Sequence, residues 1–257
     1  MKHWKLGLCA TAASLGMAGA AWADAPAAAP EEPKPAVVLN VGVASEYLFR
    51  GLSNTRNGVE VFGGADLTYS KLYAGVWVSN VDFGKNAGNT TSTEIDIYGG
   101  FRPSIGPVNL DIGGIAYTYA NQPNNLAGTE TYFEAKGAAS VAIGKGTIGG
   151  LIAYSPQFPV KTGHATYIEA NASVPVWKGL SISGAVGHQF LEASKNLGVS
   201  GYTTANIGLT YAFNSHVSLD GRYVANSNSA KFLYGTGKYV PFNARNRFVA
   251  TLKITFP

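Results

Sequence analysis

Apolar and polar residues alternate with a period of two along most of the chain. Leu39, Val41, Val43, Tyr47 and Phe49 fall on one face of the first extended segment, with Asn40, Gly42, Ala44, Glu46 and Arg50 on the other. Val59, Val61, Ala65, Leu67 and Tyr69 oppose Glu60, Gly64, Asp66 and Thr68 in the next. The pattern recurs with Ile95, Ile97 and Phe101 against Glu94, Asp96, Tyr98 and Arg102. It recurs again with Val108, Leu110 and Ile112 against Asn109, Asp111 and Gly113. The C-terminus repeats it, Phe248, Ala250, Leu252 and Ile254 opposing Arg247, Thr251 and Lys253. Successive side chains of a strand point to opposite faces, so this is the signature of strands with one apolar and one polar face.

Twelve such segments are predicted, at 37–50, 57–69, 72–83, 93–103, 107–119, 130–143, 147–157, 165–176, 180–191, 201–213, 216–225 and 244–256. Connections after the even-numbered segments are tight, as at Gly144-Lys145-Gly146 and Trp177-Lys178-Gly179. Those after the odd-numbered ones are longer and polar, as at 84–92, 120–129 and 226–243. Short turns at one end and long loops at the other are the asymmetry of an outer-membrane β-barrel. The expected fold is therefore all-β, an antiparallel transmembrane barrel of about 12 strands. A secreted β-sandwich also alternates, but predicts shorter strands, a more charged exterior and loops of similar length at both ends. Closure is required because an open edge in lipid would leave backbone N–H and C=O groups unpaired.

Composition agrees. Charged residues make up 13% of the chain, about half the usual share, while glycine reaches 32 residues. After the N-terminal stretch no apolar run is long enough for a spanning helix, which needs about 20 residues. Residues 1–23 read as a signal peptide: basic Lys2, His3 and Lys5, an apolar stretch from Leu6, and the cleavage pattern Ala21-Trp22-Ala23. Residues 24–36 read as an Ala/Pro-rich periplasmic linker, and 37–257 as the barrel. Cleavage removes Cys9, the only cysteine, so no disulfide is expected. It also leaves 17 of the 19 basic residues against 15 acidic ones, which gives no electrostatic case for nucleic acid.

Three blocks, VGVASEYLFRGLSNT at 41–55, AGVWVSNVDFG at 74–84 and TEIDIYGGF at 93–101, resemble the TorF-type family of porins, also carried as the uncharacterised Gcw_chp family. The resemblance implies the cell outer membrane and a pore function, with no catalytic residues to carry over. The last strand also resembles an assembly signal, ending in Phe256 with apolar residues at every second position before it. It departs from that pattern in Pro257.

No enzymatic constellation is expected. Of the histidines beyond the signal segment, His164 falls in a loop and His216 in a turn. His188 shares the phase of the lipid-facing residues and lacks a serine two positions on. No cofactor is implied, and Asp82, Glu94 and Asp96 read as lumen acids before they read as calcium ligands. Glycine pairs such as Gly99-Gly100 and Gly113-Gly114 read as close-approach positions in strands rather than phosphate loops. Tyr47, Phe49, Trp77, Phe83, Phe101, Trp177, Tyr211 and Phe213 are expected in the interfacial girdles.

Phase assigns Glu46, Glu60, Asp66, Asp82, Glu94, Asp96, Asp111, Glu134, Glu169 and Asp220 to the lumen, with Arg50, Arg102, Lys136, Arg222, Arg245, Arg247 and Lys253. Closing the sheet should bring Arg245 and Arg247 near Glu46 and Arg50. That suggests an acidic wall facing a basic one across a narrow passage. Two functions follow: a passive channel for small hydrophilic solutes or ions, or a barrel with a closed lumen that acts through its surface loops. The expected partners are outer-membrane lipid, such solutes and the barrel-assembly machinery. The pattern does not fix an oligomeric state.

Overall fold

The computed structural model describes residues 34–84, 89–123, 130–159, 163–192, 201–227 and 245–257. The expected signal peptide and most of the expected linker lie outside these residues, as do parts of the five long loops beyond residue 80. In chain order the elements are β1 (Ala36–Ala44), β2 (Leu48–Phe49), β3 (Leu52–Ser53), β4 (Glu60–Tyr69), β5 (Leu72–Asn80), β6 (Thr93–Phe101), β7 (Ser104–Ile105) and β8 (Val108–Ala120). They continue with β9 (Tyr132–Ile143), β10 (Gly146–Ser155), β11 (Ala165–Trp177), β12 (Leu180–Leu191), β13 (Tyr202–Ala212), β14 (Val217–Asn226) and β15 (Arg247–Phe256).

Twelve of these form the wall, each pairing antiparallel with its neighbours in sequence. The ring closes where β1 meets β15, with Leu39 opposite Phe256 and Ala44 opposite Thr251. Wall strands run from nine to thirteen residues, matching the roughly 9–11 that a tilted strand needs to cross a bilayer. The twelve-stranded expectation thus holds, and β2, β3 and β7 are short additions to it.

The outer face is a continuous apolar band. Val41, Val61, Val76, Ile97, Ile112, Phe133, Ile152, Ile168, Val186, Ile207, Leu219 and Phe248 stand on it, one from each wall strand and each more than a third exposed. In water such a surface would be a severe liability, whereas facing hydrocarbon it is the stable arrangement. The opposite positions point inward. Trp177 and Phe213 sit at the short-turn end and remain outside, as do Phe101 and Tyr211.

Four of the aromatics expected in the girdles are instead inside. β5 points Trp77 inward, where it is 1% exposed, and Phe83 is buried beyond the strand's end. Tyr47 and Phe49 are inside because the first strand stops at Ala44, not at residue 50. Alternation continues past Ala44 because a second, inward-folded hairpin alternates too. The readable sign was the Arg50-Gly51 pair between Leu48-Phe49 and Leu52-Ser53, a turn signal inside an assumed strand.

Candidate functional site: the lumen and its inward loop

The functional interior is built by the inward face of the wall and by residues 45–59, which fold back into the barrel from the long-loop end. β2 and β3 pair as Leu48 with Ser53 and Phe49 with Leu52. The two turn residues, Arg50 and Gly51, have φ of 47° and 81°. Positive φ at both positions defines the tight hairpin whose twist matches its strands. The hairpin is anchored at its base, where the Asn54 amide donates to the Tyr47 carbonyl (2.9 Å) and the Asp82 amide to the Asn54 carbonyl (2.7 Å).

Arg50, at the tip, reaches the far wall. Its two terminal nitrogens donate to both carboxylate oxygens of Glu134 on β9, at 2.8 and 2.7 Å. A further bond of 2.8 Å runs to the Gln189 side-chain oxygen on β12. The guanidinium lies 4.2 Å from the ring centre of Tyr167 and 4.7 Å from that of Phe49. Fork-on-fork pairing between aromatic faces is the geometry arginine favours over lysine. Beside it, the Asn226 amide group donates to the Gly51 carbonyl at 2.6 Å. The tip therefore touches β9, β11, β12 and β14 at once.

The hairpin's flank packs on the other side of the lumen. The Tyr47 hydroxyl donates to Glu94 at 2.5 Å, and its ring meets Trp77 edge-on at 5.4 Å. Phe49 meets Tyr117 in the same manner, and Tyr117 stacks on Tyr132 at 4.4 Å. At the base, Arg247 on β15 pairs with Glu46. At this level the inward side chains are shut off from water: Asp96 is 0% exposed, and Glu134, Gln189 and Tyr117 are 1%.

Towards the short-turn end the interior is wetter and its charges form local groups. Asp111 receives Tyr73 at 2.7 Å and lies 3.2 Å from Arg102 and 3.4 Å from Lys136. Tyr98 donates to Asp66, and Tyr167 to Glu169. Arg222 binds Asp220 at 3.0 Å, Asn206 at 2.6 Å and Ser183 at 2.9 Å. Lys253 lies half-buried on the inward face of β15.

Each expected lumen residue on a wall strand is on the inward phase. Their grouping differs from the two facing walls that phase suggested. Arg247 does meet Glu46, but Arg50 crosses to Glu134, and Arg245 stands exposed at the rim. Bases and acids thus pair locally, or across the lumen in the case of Arg50, rather than segregate. Asp66 and Glu169 are held by neutral partners, Tyr98 and Tyr167. Glu60, Glu94 and Asp96 likewise have no ion-paired cation among the described residues, both Asp96 carboxylate oxygens being buried without a partner. Gln189 and the Tyr117, Tyr132 and Tyr167 aromatics were not singled out from sequence. Inward phase alone would have found them. His188 faces outward as expected, with Nδ1 2.8 Å from the Thr203 hydroxyl and its ring against Phe190. Among the described residues no three acidic, histidine or cysteine side chains are arranged to hold a metal ion.

The architecture is that of a closed twelve-stranded antiparallel barrel, and porins are among the solved structures that share it. NanC porin superposes with a TM-score of 0.55 at 8% identity, covering 86% of this chain and 100% of that one. KdgM porin gives 0.54 at 7% identity, covering 86% and 98%. These likenesses are of the fold. The chain belongs to the family described as bacterial protein of unknown function (Gcw_chp), whose model matches residues 27–256. No curated protein matches it in sequence.

Proposed function

We propose that the chain is an outer-membrane porin, a passive channel for small hydrophilic solutes or ions. The carrying observation is the closed ring that is apolar all round outside and polar inside, from Asn40 and Asp66 to Arg222 and Lys253. A wholly apolar exterior needs lipid, and a charged interior is wasted unless water or solute reaches it. The TorF-type resemblance of residues 41–55, 74–84 and 93–101 and the porin fold of NanC and KdgM support the same reading.

In this reading residues 1–23 are cleaved on export and 24–36 remain as a periplasmic tether. The short turns then face the periplasm, the long loops face outward, and Phe256 is presented to the assembly machinery. Glu46, Glu60, Glu94, Asp96, Glu134 and Arg50 line the outer half of the passage; Asp66, Arg102, Lys136, Glu169, Asp220 and Arg222 line the periplasmic half. One observation favours the second reading, a closed barrel acting through its surface loops: residues 45–59 fill the lumen at the level of Glu134.

Planar-bilayer recording separates the two. Stepwise conductance is expected from the native protein, and from a variant in which residues 47–56 are replaced by a short Gly-Ser link. Silence from the shortened variant, with a barrel shown folded by its heat-dependent gel mobility, overturns the channel.

A further inference from the structure

The inward hairpin closes the passage with polar attachments to the far wall that converge on its tip. Its tip is held by the side-chain bonds of Arg50 and by a bond from Asn226 to the Gly51 carbonyl. Arg50 is also conformationally costly, because a non-glycine residue at φ 47° is disfavoured by about 1 kcal/mol. Asparagine is the residue that such a turn prefers at this position. Arginine here is therefore explained by what its guanidinium does on the far wall rather than by the turn it occupies.

What the hairpin covers matters as much as what holds it. The base of the hairpin seals Glu94 through Tyr47, next to Asp96 and on the same side as Glu60. These carboxylates are 3% exposed or less, and among the described residues none has a cationic partner. Burying an unpaired carboxylate is unfavourable, so hydration of this wall opposes the closed state, while the Arg50 contacts favour it. Opposed terms of this kind give an element two accessible positions.

Resting on the channel reading above, we propose that residues 45–59 are a hinged gate held shut by Arg50 on Glu134 and Gln189. Its withdrawal bares the acidic wall of Glu60, Glu94 and Asp96, so that the open passage prefers cations. The hinge falls between Ala44, the last wall residue, and Glu60, the first of the next strand. The wall strands themselves need not move.

Three bilayer measurements on the purified full barrel test this. Arg50→Asn keeps a residue suited to the turn but removes the guanidinium, and should raise the open probability at least about tenfold. Arg50→Lys should fall between, since ammonium cannot span both carboxylate oxygens. In a potassium chloride gradient the reversal potential of the open channel should have the sign of potassium preference, and Asp96→Asn with Glu94→Gln should move it towards zero. Finally, an added Cβ on Gly51 would abut the Thr204 hydroxyl, so Gly51→Cys with Thr204→Cys should form a disulfide that silences the channel until reductant is added. Arg50→Asn with native open probability, a crosslinked protein that conducts normally, or an anion-preferring open state each overturns the gate while leaving the channel standing. Silence of every variant, the shortened loop included, overturns both.

Discussion

Glu46 and Arg247 show how a single ion pair ties sequence ends together. They are 201 positions apart, yet their side chains meet at 8% exposure each where β1 hands over to the inward hairpin. Asn57 adds a second bond to Arg247 at 3.1 Å and donates its own amide to Glu46 at 3.1 Å. Removing one partner from a buried pair strands the other, at a cost of about 3 kcal/mol. Glu46→Gln should therefore lower the urea midpoint of unfolding clearly, while the same change at the exposed Glu192, paired with His164 near the rim, should leave it unmoved. The Glu46–Arg247 meeting was legible in the sequence, because antiparallel closure forces the first and last strands together. The Arg50–Glu134 meeting was not. Phase gives the face a side chain points to, but not whether a loop enters from above and carries an arginine across the lumen.

The glycine pairs show the same division at the level of strands. Alternation and turn spacing located every wall strand to within three residues, apart from the end of the first, since lipid on one side and water on the other enforce period two. The glycine pairs marked positions of close approach, but not which side chain approaches them. Gly99 pairs with Gly114 and Gly100 with Gly113 across β6 and β8. A Cβ at Gly113 would lie 2.5 Å from the Gly99 carbonyl oxygen and 2.7 Å from the Tyr73 hydroxyl. Gly100 and Gly113, on the inward phase, thus make room for the Tyr73 ring on its way to Asp111, while Gly114, on the outer face, makes room for Phe133. Gly113→Ala should cost about 1–3 kcal/mol through this overpacking, read as a lower thermal midpoint. Gly144→Ala meets nothing within 4 Å, and its strain comes only from a φ of 60°; its effect should be the smaller, about 1 kcal/mol. The end of β1 was misread for a related reason. An inward hairpin satisfies the same alternation as a longer strand, and only the Arg50-Gly51 turn separates them.

For the barrel as a whole, the two faces should tolerate change very differently. Ile97 is 58% exposed on the outer band near mid-strand, with Asp96 beside it fully buried on the lumen side. Ile97→Arg should cost about 2–4 kcal/mol in a bilayer, seen as a reduced folded fraction in lipid titrations. Ser181→Arg, on the inward phase beside the short turns, should be nearly neutral for folding and alter conductance instead. Such a pattern, harmful outside and tunable inside, is what a membrane-spanning channel predicts and a soluble sandwich does not.

The seam between β1 and β15 sets the order of events during biogenesis. It joins residues 39–44 to 251–256, six pairs against nine between β1 and β4. Every other wall pairing joins strands adjacent in the chain, and can form as soon as both are available. The seam and the β14–β15 hairpin both wait for β15, but only the seam also closes a loop spanning the whole barrel, and such a contact forms slowly. Until then the sheet has two bare edges carrying unpaired N–H and C=O groups, the feature that templates aggregation. Loss of the C-terminal segment would therefore leave an open sheet rather than a smaller barrel.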